Sequence, residues 1–195
     1  MPTTAKKPDL PVVAFATAAA WRAWLRANHA SSAGVWLRMF KKGSGVATVT
    51  YAEAVEEALC FGWIDSQMNR FDGESYVQRF SPRRPRSLWS RMNIDRVEKL
   101  IAAKRMRPAG LKEVDDAKAD GRWQRAYEPP SRSEVPDDFL SALARNKKAK
   151  AFFATLNRAN VYAVCWRLQT AKKPETRARS IEQLVEMFAR GERIH

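Results

Sequence analysis

Hydrophobic residues along this chain follow the alternation of β-strands in some stretches and the repeat of helices in others. Val35–Phe40 is a mostly apolar run, which is typical of a buried strand. Trp63–Arg70 and residues 74–80 are β-rich runs on either side of Phe71-Asp72-Gly73. Because Asp-Gly between such runs is a strong turn signal, they predict an antiparallel hairpin. We therefore expect a small antiparallel sheet.

Helical patterns surround these strands. Thr17 can cap a helix that contains Trp21, and Thr50-Tyr51-Ala52-Glu53 has the form of a capping box that starts a helix over 51–61. The acidic residues of that helix, Glu53, Glu56 and Glu57, are predicted to lie on its solvated or partner-facing side. Further helices are predicted over 87–107 and 109–119, with Pro108 between them. The fold class is therefore α/β (α+β), with helices packed on the sheet.

The end of the chain has a different character. Residues 128–133 are rich in Pro and Ser and lack periodicity, which is typical of a linker. Beyond them the pattern is helical throughout, and in Pro174–Ala189 the apolar residues recur at helical spacing. We therefore predict an α/β domain over 1–130 and an all-helical C-terminal module over 131–195.

Charge narrows the range of partners. The chain has 35 Lys and Arg against 21 Asp and Glu, a formal net charge of +14. Such an excess favours anionic partners, such as a small molecule, an acidic protein or nucleic acid bound weakly and without sequence specificity. The N-terminal residues, interrupted by Pro8 and Pro11, predict a frayed tail and not a signal peptide, and we expect no membrane span. Both cysteines, Cys60 and Cys165, lie in apolar helical runs and are expected to be buried thiols in a cytoplasmic protein.

The segment 79–91 holds five arginines interleaved with serines. Guanidinium groups bind phosphate or carboxylate through paired hydrogen bonds, and a helix that begins at Ser87 would add free backbone amides. We therefore expect an anion site in a cleft between the hairpin, the loop at Lys41-Lys42-Gly43-Ser44-Gly45 and the 87–107 helix. Its candidate residues are Lys41, Lys42, Asp65, Arg79, Arg83, Arg84, Ser87, Ser90 and Asn93.

Other interpretations stay open for the same charges. The arginines of 79–91 could form a plain surface that pairs with Glu53, Glu56, Glu57 or Asp65. Asp65 could pair with Arg79 across the hairpin, or act as the acid or base of an enzyme whose arginines hold an anionic substrate. In a third interpretation the helical segment 135–190 is a protein-interaction module for an acidic partner, which an exposed apolar patch there would favour.

Several chemistries lack their motifs. Nucleophilic catalysis by Cys60 would need a nearby base, but the two histidines are His29 and the terminal His195. Neither these residues nor the cysteines have metal-ligand spacing, and no phosphate-binding or dinucleotide loop is present, so we expect no metal and no cofactor. Trp89, Phe80 and Tyr76 lie among the arginines but are typical of a core, and no nucleic-acid-binding signature accompanies them.

Several strings, in order, resemble the YdeI/OmpD-associated proteins, also called bacteriocin-protection proteins. They are Glu56 to Gly62 with Trp63-Ile64-Asp65-Ser66, Arg79-Phe80-Ser81-Pro82-Arg83, Ser90 with Asn93, Met106 with Pro108 to Leu111, and Thr170 to Arg177. The resemblance covers roughly residues 15–190. It implies an α/β N-terminal part, a helical C-terminal module and a role in envelope stress or bacteriocin tolerance, but no catalytic set. We therefore expect a cytoplasmic, stress-associated protein that binds an anionic ligand.

Overall fold

The computed structural model describes residues 10–194, which divide into two compact units. The first unit runs to Leu88 and resumes at Asn93–Arg125, and the second consists of Trp89–Met92 and the chain from Ala126 onward. The division into domains at residue 130 stays a prediction. The elements of the first part of the chain are β1 (Val12–Ala14), α1 (Ala18–Asn28), β2 (Val35–Phe40), α2 (Tyr51–Cys60), β3 (Trp63–Arg70), β4 (Ser75–Pro82), α3 (Arg91–Ala102) and α4 (Pro108–Ala119).

The described residues of the first unit contain one four-stranded sheet, in the order β1-β2-β4-β3. β4 is antiparallel to both β2 and β3, which confirms the predicted hairpin and antiparallel sheet. β1 adds an edge strand parallel to β2, and the Trp36 N–H of β2 donates to the carbonyl of Pro11, the residue before β1, over 2.9 Å. The frayed tail was expected to lead into structure, and residues 12–14 form a strand that the pattern did not predict, while residues 1–9 lie outside the described part.

One face of this sheet carries the core of the first unit. The strand register places Phe80 of β4 opposite Val35 of β2 and Asp65 of β3, so these three side chains share a face. α1 packs on that face, with the rings of Trp21 and Phe80 5.6 Å apart, and the Trp21 indole N–H donates to the Ala54 carbonyl of α2 over 3.1 Å. Both rings are fully buried, which fixes α1 and α2 against the sheet.

α3 is shorter than the predicted 87–107 helix at both ends. Before it, Arg86 has a φ of 63°, and the Ser87 N–H closes a turn onto the Arg84 carbonyl. After it, Lys104 takes a φ of 55°, and the Arg105 N–H donates to the Leu100 carbonyl over 2.9 Å. A residue with positive φ at this position closes a helix C-terminus, so α3 ends well before Pro108.

The second unit is helical, which confirms the predicted C-terminal module. Its helices are α5 (Asp137–Ala144), α6 (Lys147–Phe153), α7 (Arg158–Gln169) and α8 (Pro174–Ala189), and α8 has the predicted bounds. Their apolar faces meet in a core that includes Phe139, Val164, Leu184 and Phe188. The rings of Phe139 and Phe188 are 6.4 Å apart in an edge-on arrangement, which is favourable for aromatic pairs.

Candidate functional site

The loop after β2 and the first turn of α2 enclose a pocket of about 680 Å³ in the first unit. Residues 41–51 form most of its lining, and Met39 and Tyr76 complete it from the sheet. The pocket therefore combines the side chains of Lys41 and Lys42 with the phenol rings of Tyr51 and Tyr76. A ligand with an anionic group and an apolar body matches such a lining.

Lys41 anchors the basic loop to the hairpin. Its backbone N–H donates to the Glu74 carbonyl, and its ammonium donates to the Gly73 carbonyl, each over 2.8 Å. Both partners are neutral carbonyl groups, so the ammonium keeps its positive charge unneutralised by these contacts. Lys41 is thereby a cation held in a fixed position at the edge of the pocket.

Lys42 and the two glycines after it form the open side of the pocket. Lys42 is exposed and has no carboxylate partner in the part of the chain that the structure describes. Gly43 and Gly45 have φ values of 99° and 73°, a conformation that costs glycine little, and a Cβ atom at either would meet nothing within 4 Å. The backbone of this loop is therefore accessible to a ligand.

Tyr51 forms the α2 wall of the pocket and is 40% exposed. The predicted capping box is present: Glu53 N–H donates to the Thr50 hydroxyl, and Thr50 N–H donates to Glu53 Oε2 over 2.9 Å. This cap fixes Tyr51 at the first position of α2, from which its hydroxyl donates to Asp65 Oδ2 over 2.7 Å. Burial, and then the hydrogen bond to Asp65, raise the pKa of Tyr51 above its ordinary value. The phenol is therefore neutral at physiological pH.

Asn93 is connected to this wall through Arg96. The Arg96 guanidinium donates to Asn93 Oδ1 over 2.9 Å, and its positive charge acts on Tyr51 in the direction that lowers the pKa of the phenol. Arg96 thus adds positive potential behind Tyr51. The predicted Asn93 acts here as a partner that orients a cation.

Arg79 lies on the opposite face of the sheet from Asp65. Asp65 is opposite Phe80 in the β3–β4 ladder, whereas Arg79 is opposite Trp36 in the β2–β4 ladder. Consecutive residues of a strand point to opposite faces, so the proposed Asp65–Arg79 ion pair is wrong. Arg79 Nε is buried and has no hydrogen-bond partner among the described residues.

Arg83 is part of the packing of the turn after β4. Arg83 is 6% exposed, and its Nη1 donates to the Ser87 hydroxyl and the Leu88 carbonyl, each over 3.3 Å. Burial raises the pKa of Glu113, and the charge of Arg83 opposes that rise. Arg83 therefore balances a half-buried carboxyl group of α4, while its neighbour Arg84 is exposed.

The two predicted serines are also absent from the lining of the pocket. Because α3 begins at Arg91, Ser87 does not start a helix, and its carbonyl accepts from Arg122 Nη1 over 3.1 Å. Ser90 is buried and forms a bridge with Tyr127. The structure therefore brings Lys41, Lys42 and Asp65 to one site, connects Asn93 to it through Arg96, and leaves Arg79, Arg83, Arg84, Ser87 and Ser90 outside its lining.

Tyr51 and Tyr76 are the site residues that sequence reasoning missed. Tyr51 stood in the capping-box string, and Tyr76 was interpreted only as an aromatic among arginines. Two signals were available: the capping box fixes the first residue of α2, and alternation puts Tyr76 on the face of Phe80. The Tyr76 hydroxyl lies 3.3 Å from Met39 Sδ, which ties it to the same pocket wall.

Other candidate chemistries find no support in the geometry. Burial raises the pKa of the Cys60 thiol to about 11, so Cys60 is a protonated, buried group and a poor nucleophile. Phe80 and Trp89 are buried and unavailable for stacking on bases. Among the described residues, no cluster of three or more His, Cys, Asp or Glu could hold a metal ion, and no helix is long and apolar enough to cross a membrane.

The predicted acidic side of α2 is also different. Glu57 is buried and receives hydrogen bonds from Arg22 Nη1 over 2.9 Å and Arg105 Nη2 over 2.7 Å, so its assignment to the solvated side is wrong. Arg105 Nη1 also donates to Glu56 over 3.0 Å. These carboxylates therefore pair with arginines outside the 79–91 segment.

Two family models match the chain. A domain of unknown function, DUF8412, matches residues 13–113, and the family described as Bacteriocin-protection, YdeI or OmpD-Associated matches residues 132–191. No curated protein and no solved structure matches the chain significantly. The YdeI/OmpD-associated resemblance is thus confirmed for the C-terminal segment, which includes Thr170 to Arg177. The strings around Trp63 and Arg79 fall within the DUF8412 match.

Proposed function

We propose, for a chain that belongs to the DUF8412 family and carries a bacteriocin-protection, YdeI or OmpD-associated domain, that its first unit binds an anionic ligand in the pocket of residues 41–51. The observation that carries the proposal is the combination of Lys41 and Lys42 with Tyr51 and Tyr76 around one concavity of about 680 Å³. Two ammonium groups attract an anion, and two phenol rings favour a ligand with an apolar body.

The charge of the pocket supports this proposal. The Lys41 ammonium is bonded to a neutral carbonyl, Lys42 is exposed, and Arg96 adds a positive charge behind Tyr51. The carboxylate nearest to the wall, Asp65, accepts the Tyr51 hydroxyl and is thereby turned toward the phenol. The two lysines therefore attract a phosphate or carboxylate group to the loop side of the pocket, away from Asp65.

The proposal also concerns the cellular role and the compartment of the protein. We infer a role in bacteriocin tolerance or the associated stress response, in the cytoplasm, where the reducing conditions keep Cys60 and Cys165 as thiols. The family match at residues 132–191 supports this role.

The test compares phenyl phosphate and benzoate with inorganic phosphate, by calorimetric titration and by thermal unfolding. We expect phenyl phosphate to bind most tightly and to raise the Tm by roughly 5 °C at about 100 times its Kd. Lys42→Gln should weaken binding about fivefold without a change in the unliganded Tm, because Lys42 is exposed and has no hydrogen bond or ion pair within residues 10–194.

Lys99→Gln is the matched control, since Lys99 is an exposed lysine of α3 that does not line the pocket. If Lys42→Gln and Lys99→Gln weaken binding equally, the ligand responds only to net charge and the proposed pocket is wrong. If none of the three anions binds to the wild-type protein, the proposal also fails.

The enzyme alternative has one geometric element, the hydrogen bond from Tyr51 to Asp65. In that case water would hydrolyse a phosphate ester bound in the pocket to its alcohol or phenol and inorganic phosphate, and Asp65→Asn would abolish this turnover without weakening binding. Release of phenol from phenyl phosphate, followed by absorbance, separates an enzyme from a binding protein.

A further inference from the structure

α7 of the second unit is apolar on two opposite faces. One face is buried in the helical core and includes Val164, Cys165 and Leu168. The opposite face carries Ala159, Tyr162, Ala163 and Trp166, which recur at helical spacing, and Trp166 is 44% exposed. A helix that packs against its unit on a single side needs a single apolar stripe. The second stripe of α7 therefore requires a separate explanation.

This second stripe is the floor of a pocket of about 750 Å³. Tyr127 and Pro130 form one side of the pocket, Ile194 contributes from the end of the chain, and the lining is predominantly apolar. Its volume lies in the range of about 300–1,000 Å³ that is typical of small-molecule sites. All the lining residues belong to the second unit.

Hydrogen bonds hold the wall of the pocket in place. The Glu128 N–H donates to Gln169 Oε1 over 2.8 Å, and Gln169 Nε2 donates to the Ser133 hydroxyl over 2.9 Å. The Tyr162 hydroxyl also donates to the Glu128 carbonyl over 3.4 Å. The segment that contains Tyr127 and Pro130 is therefore tied along α7, and it forms one fixed side of an open groove on this helix.

Two arginines stand at the ends of the stripe. Arg158 Nη2 donates to the Pro130 carbonyl over 3.3 Å, and Arg167 Nη2 donates to Gln183 Oε1 over 2.6 Å. Both partners are neutral, and neither guanidinium has a carboxylate partner in the described part of the chain. They are nine positions apart in the sequence, which corresponds to roughly 13 Å along a helix at 1.5 Å per residue.

From these contacts we propose that the second unit binds a small aromatic anion, with its rings over Ala159 and Ala163 between Tyr162 and Trp166, and with its anionic group at Arg158 or Arg167. The two alanines leave room for a flat ring system, and the large side chains beside them supply ring contacts. The unneutralised arginines select against neutral and cationic ligands of the same shape. This site is separate from the pocket of residues 41–51.

The test uses 1-anilinonaphthalene-8-sulfonate, a fluorescent aromatic anion, and its uncharged analogue N-phenyl-1-naphthylamine, which has the same rings without the sulfonate. Titration of the full chain should reveal a saturable site that prefers the anion by about tenfold and that Lys42→Gln, a change in the pocket of residues 41–51, leaves unaltered. Trp166→Ala should weaken both probes about tenfold, because both lose a ring contact. Arg158→Gln with Arg167→Gln should weaken the sulfonate and leave the uncharged probe unchanged.

Two matched variants control for general surface effects. Leu140→Ala removes an apolar side chain that is also 44% exposed, and Arg179→Gln removes an exposed arginine of α8 outside the pocket. Neither should alter the binding of either probe, and both control variants should unfold at the wild-type Tm.

Three results would overturn the proposal. Trp166→Ala could leave the sulfonate titration unchanged, which would place the probe elsewhere. The arginine substitutions could weaken both probes equally, which would remove the preference for an anion. Sedimentation could show a dimer that Trp166→Ala converts to a monomer, in which case a second copy of the chain occupies this face.

Discussion

The Tyr51 hydroxyl and Asp65 Oδ2 are 2.7 Å apart, and this hydrogen bond joins the first turn of α2 to β3. Tyr51 is placed by the capping box of Thr50 and Glu53, and Asp65 is placed by its register with Phe80. The hydrogen bond between them therefore depends both on the cap of α2 and on the register of β3. Any change at Tyr51 therefore affects both the wall of the pocket and the attachment of α2 to the sheet.

Tyr51→Phe should destabilise the first unit by about 1 kcal/mol, the usual net value of one such hydrogen bond. It should also change the response to alkali. Because the pKa of Tyr51 is raised in the folded state, its contribution to stability is present below the ordinary phenol pKa of about 10 and is lost as the pH rises beyond it. Urea unfolding at neutral pH and at pH values above about 10 measures both effects.

Tyr76→Phe is the control, since its hydroxyl contacts Met39 Sδ, a weak acceptor, in the same pocket. It should cost less than Tyr51→Phe at neutral pH. An equal alkaline loss of stability in the wild type and in Tyr51→Phe would contradict the proposed role of this phenol.

Local signals predicted much of the fold. Asp72-Gly73 was sufficient for the hairpin, β3 has the predicted bounds, and the periodicity of Pro174–Ala189 gave α8 without error. β1 was missed because three residues carry no measurable period and form a strand only by pairing with β2. The end of α3 was missed because Lys104 takes a positive φ, a conformation that a lysine in the sequence does not predict.

The site was less predictable than the fold. The Lys41-Lys42 loop, predicted as part of an anion site from its charge and glycines, does line a pocket, but the charges of Arg79 and Arg83 gave no information about the direction or burial of their side chains. The face of Arg79 follows from strand alternation, which already separated it from Phe80. The environment of Arg83 includes Ser87, Leu88 and, on α4, Glu113. The proximity of Arg83 to α4 arises only from tertiary packing, so the local sequence does not predict it.

Gly110→Ala should destabilise the first unit by about 2–3 kcal/mol, as overpacking of a tight contact does. A Cβ atom at Gly110 would approach the Cys60 carbonyl and lie 2.7 Å from the Leu59 carbonyl, so α4 could not keep its distance from the end of α2. Gly73→Ala is the control, because a Cβ there meets nothing within 4 Å. Equal urea midpoints for the two variants would contradict this packing.

Glu57 offers a test of the charge network at α2. Its side chain is 5% exposed, whereas those of Arg22 and Arg105 are 20% and 37% exposed. Arg22→Met with Arg105→Met leaves a buried carboxylate unpaired and should cost about 3–5 kcal/mol. Glu57→Leu fills the same space with an apolar side chain, and the two arginines it leaves unpaired are more exposed than Glu57. It should therefore lower the free energy of unfolding by less than the double arginine substitution does, as measured by urea unfolding.

Glu56→Gln is the matched control for the network, because Glu56 contacts the same Arg105 but is 36% exposed. Its loss should cost no more than about 1 kcal/mol, the value of exposed ion pairs. The interpretation is wrong if Glu57→Leu is the most damaging of these changes.

Arg177 connects three helices of the second unit. From α8 its guanidinium donates to both oxygens of Asp138 on α5, over 2.7 and 2.9 Å, and to the Leu168 carbonyl of α7 over 2.6 Å. Arg177→Met should therefore destabilise this unit by about 1 kcal/mol at neutral pH. Arg179→Met, an exposed change on the same helix, should have no measurable effect.

The loss caused by Arg177→Met should depend on pH. The hydrogen bond from Arg177 lowers the pKa of Asp138, so the stabilisation is present above the unfolded pKa of about 3.9 and is lost as the pH falls through the lower folded value. The wild type and Arg177→Met should thus differ by a constant amount near neutrality and converge in acid. Thermal unfolding from pH 7 down to about pH 3 measures this difference, and a gap that widens on acidification would show that Asp138 is not the carboxylate that Arg177 stabilises.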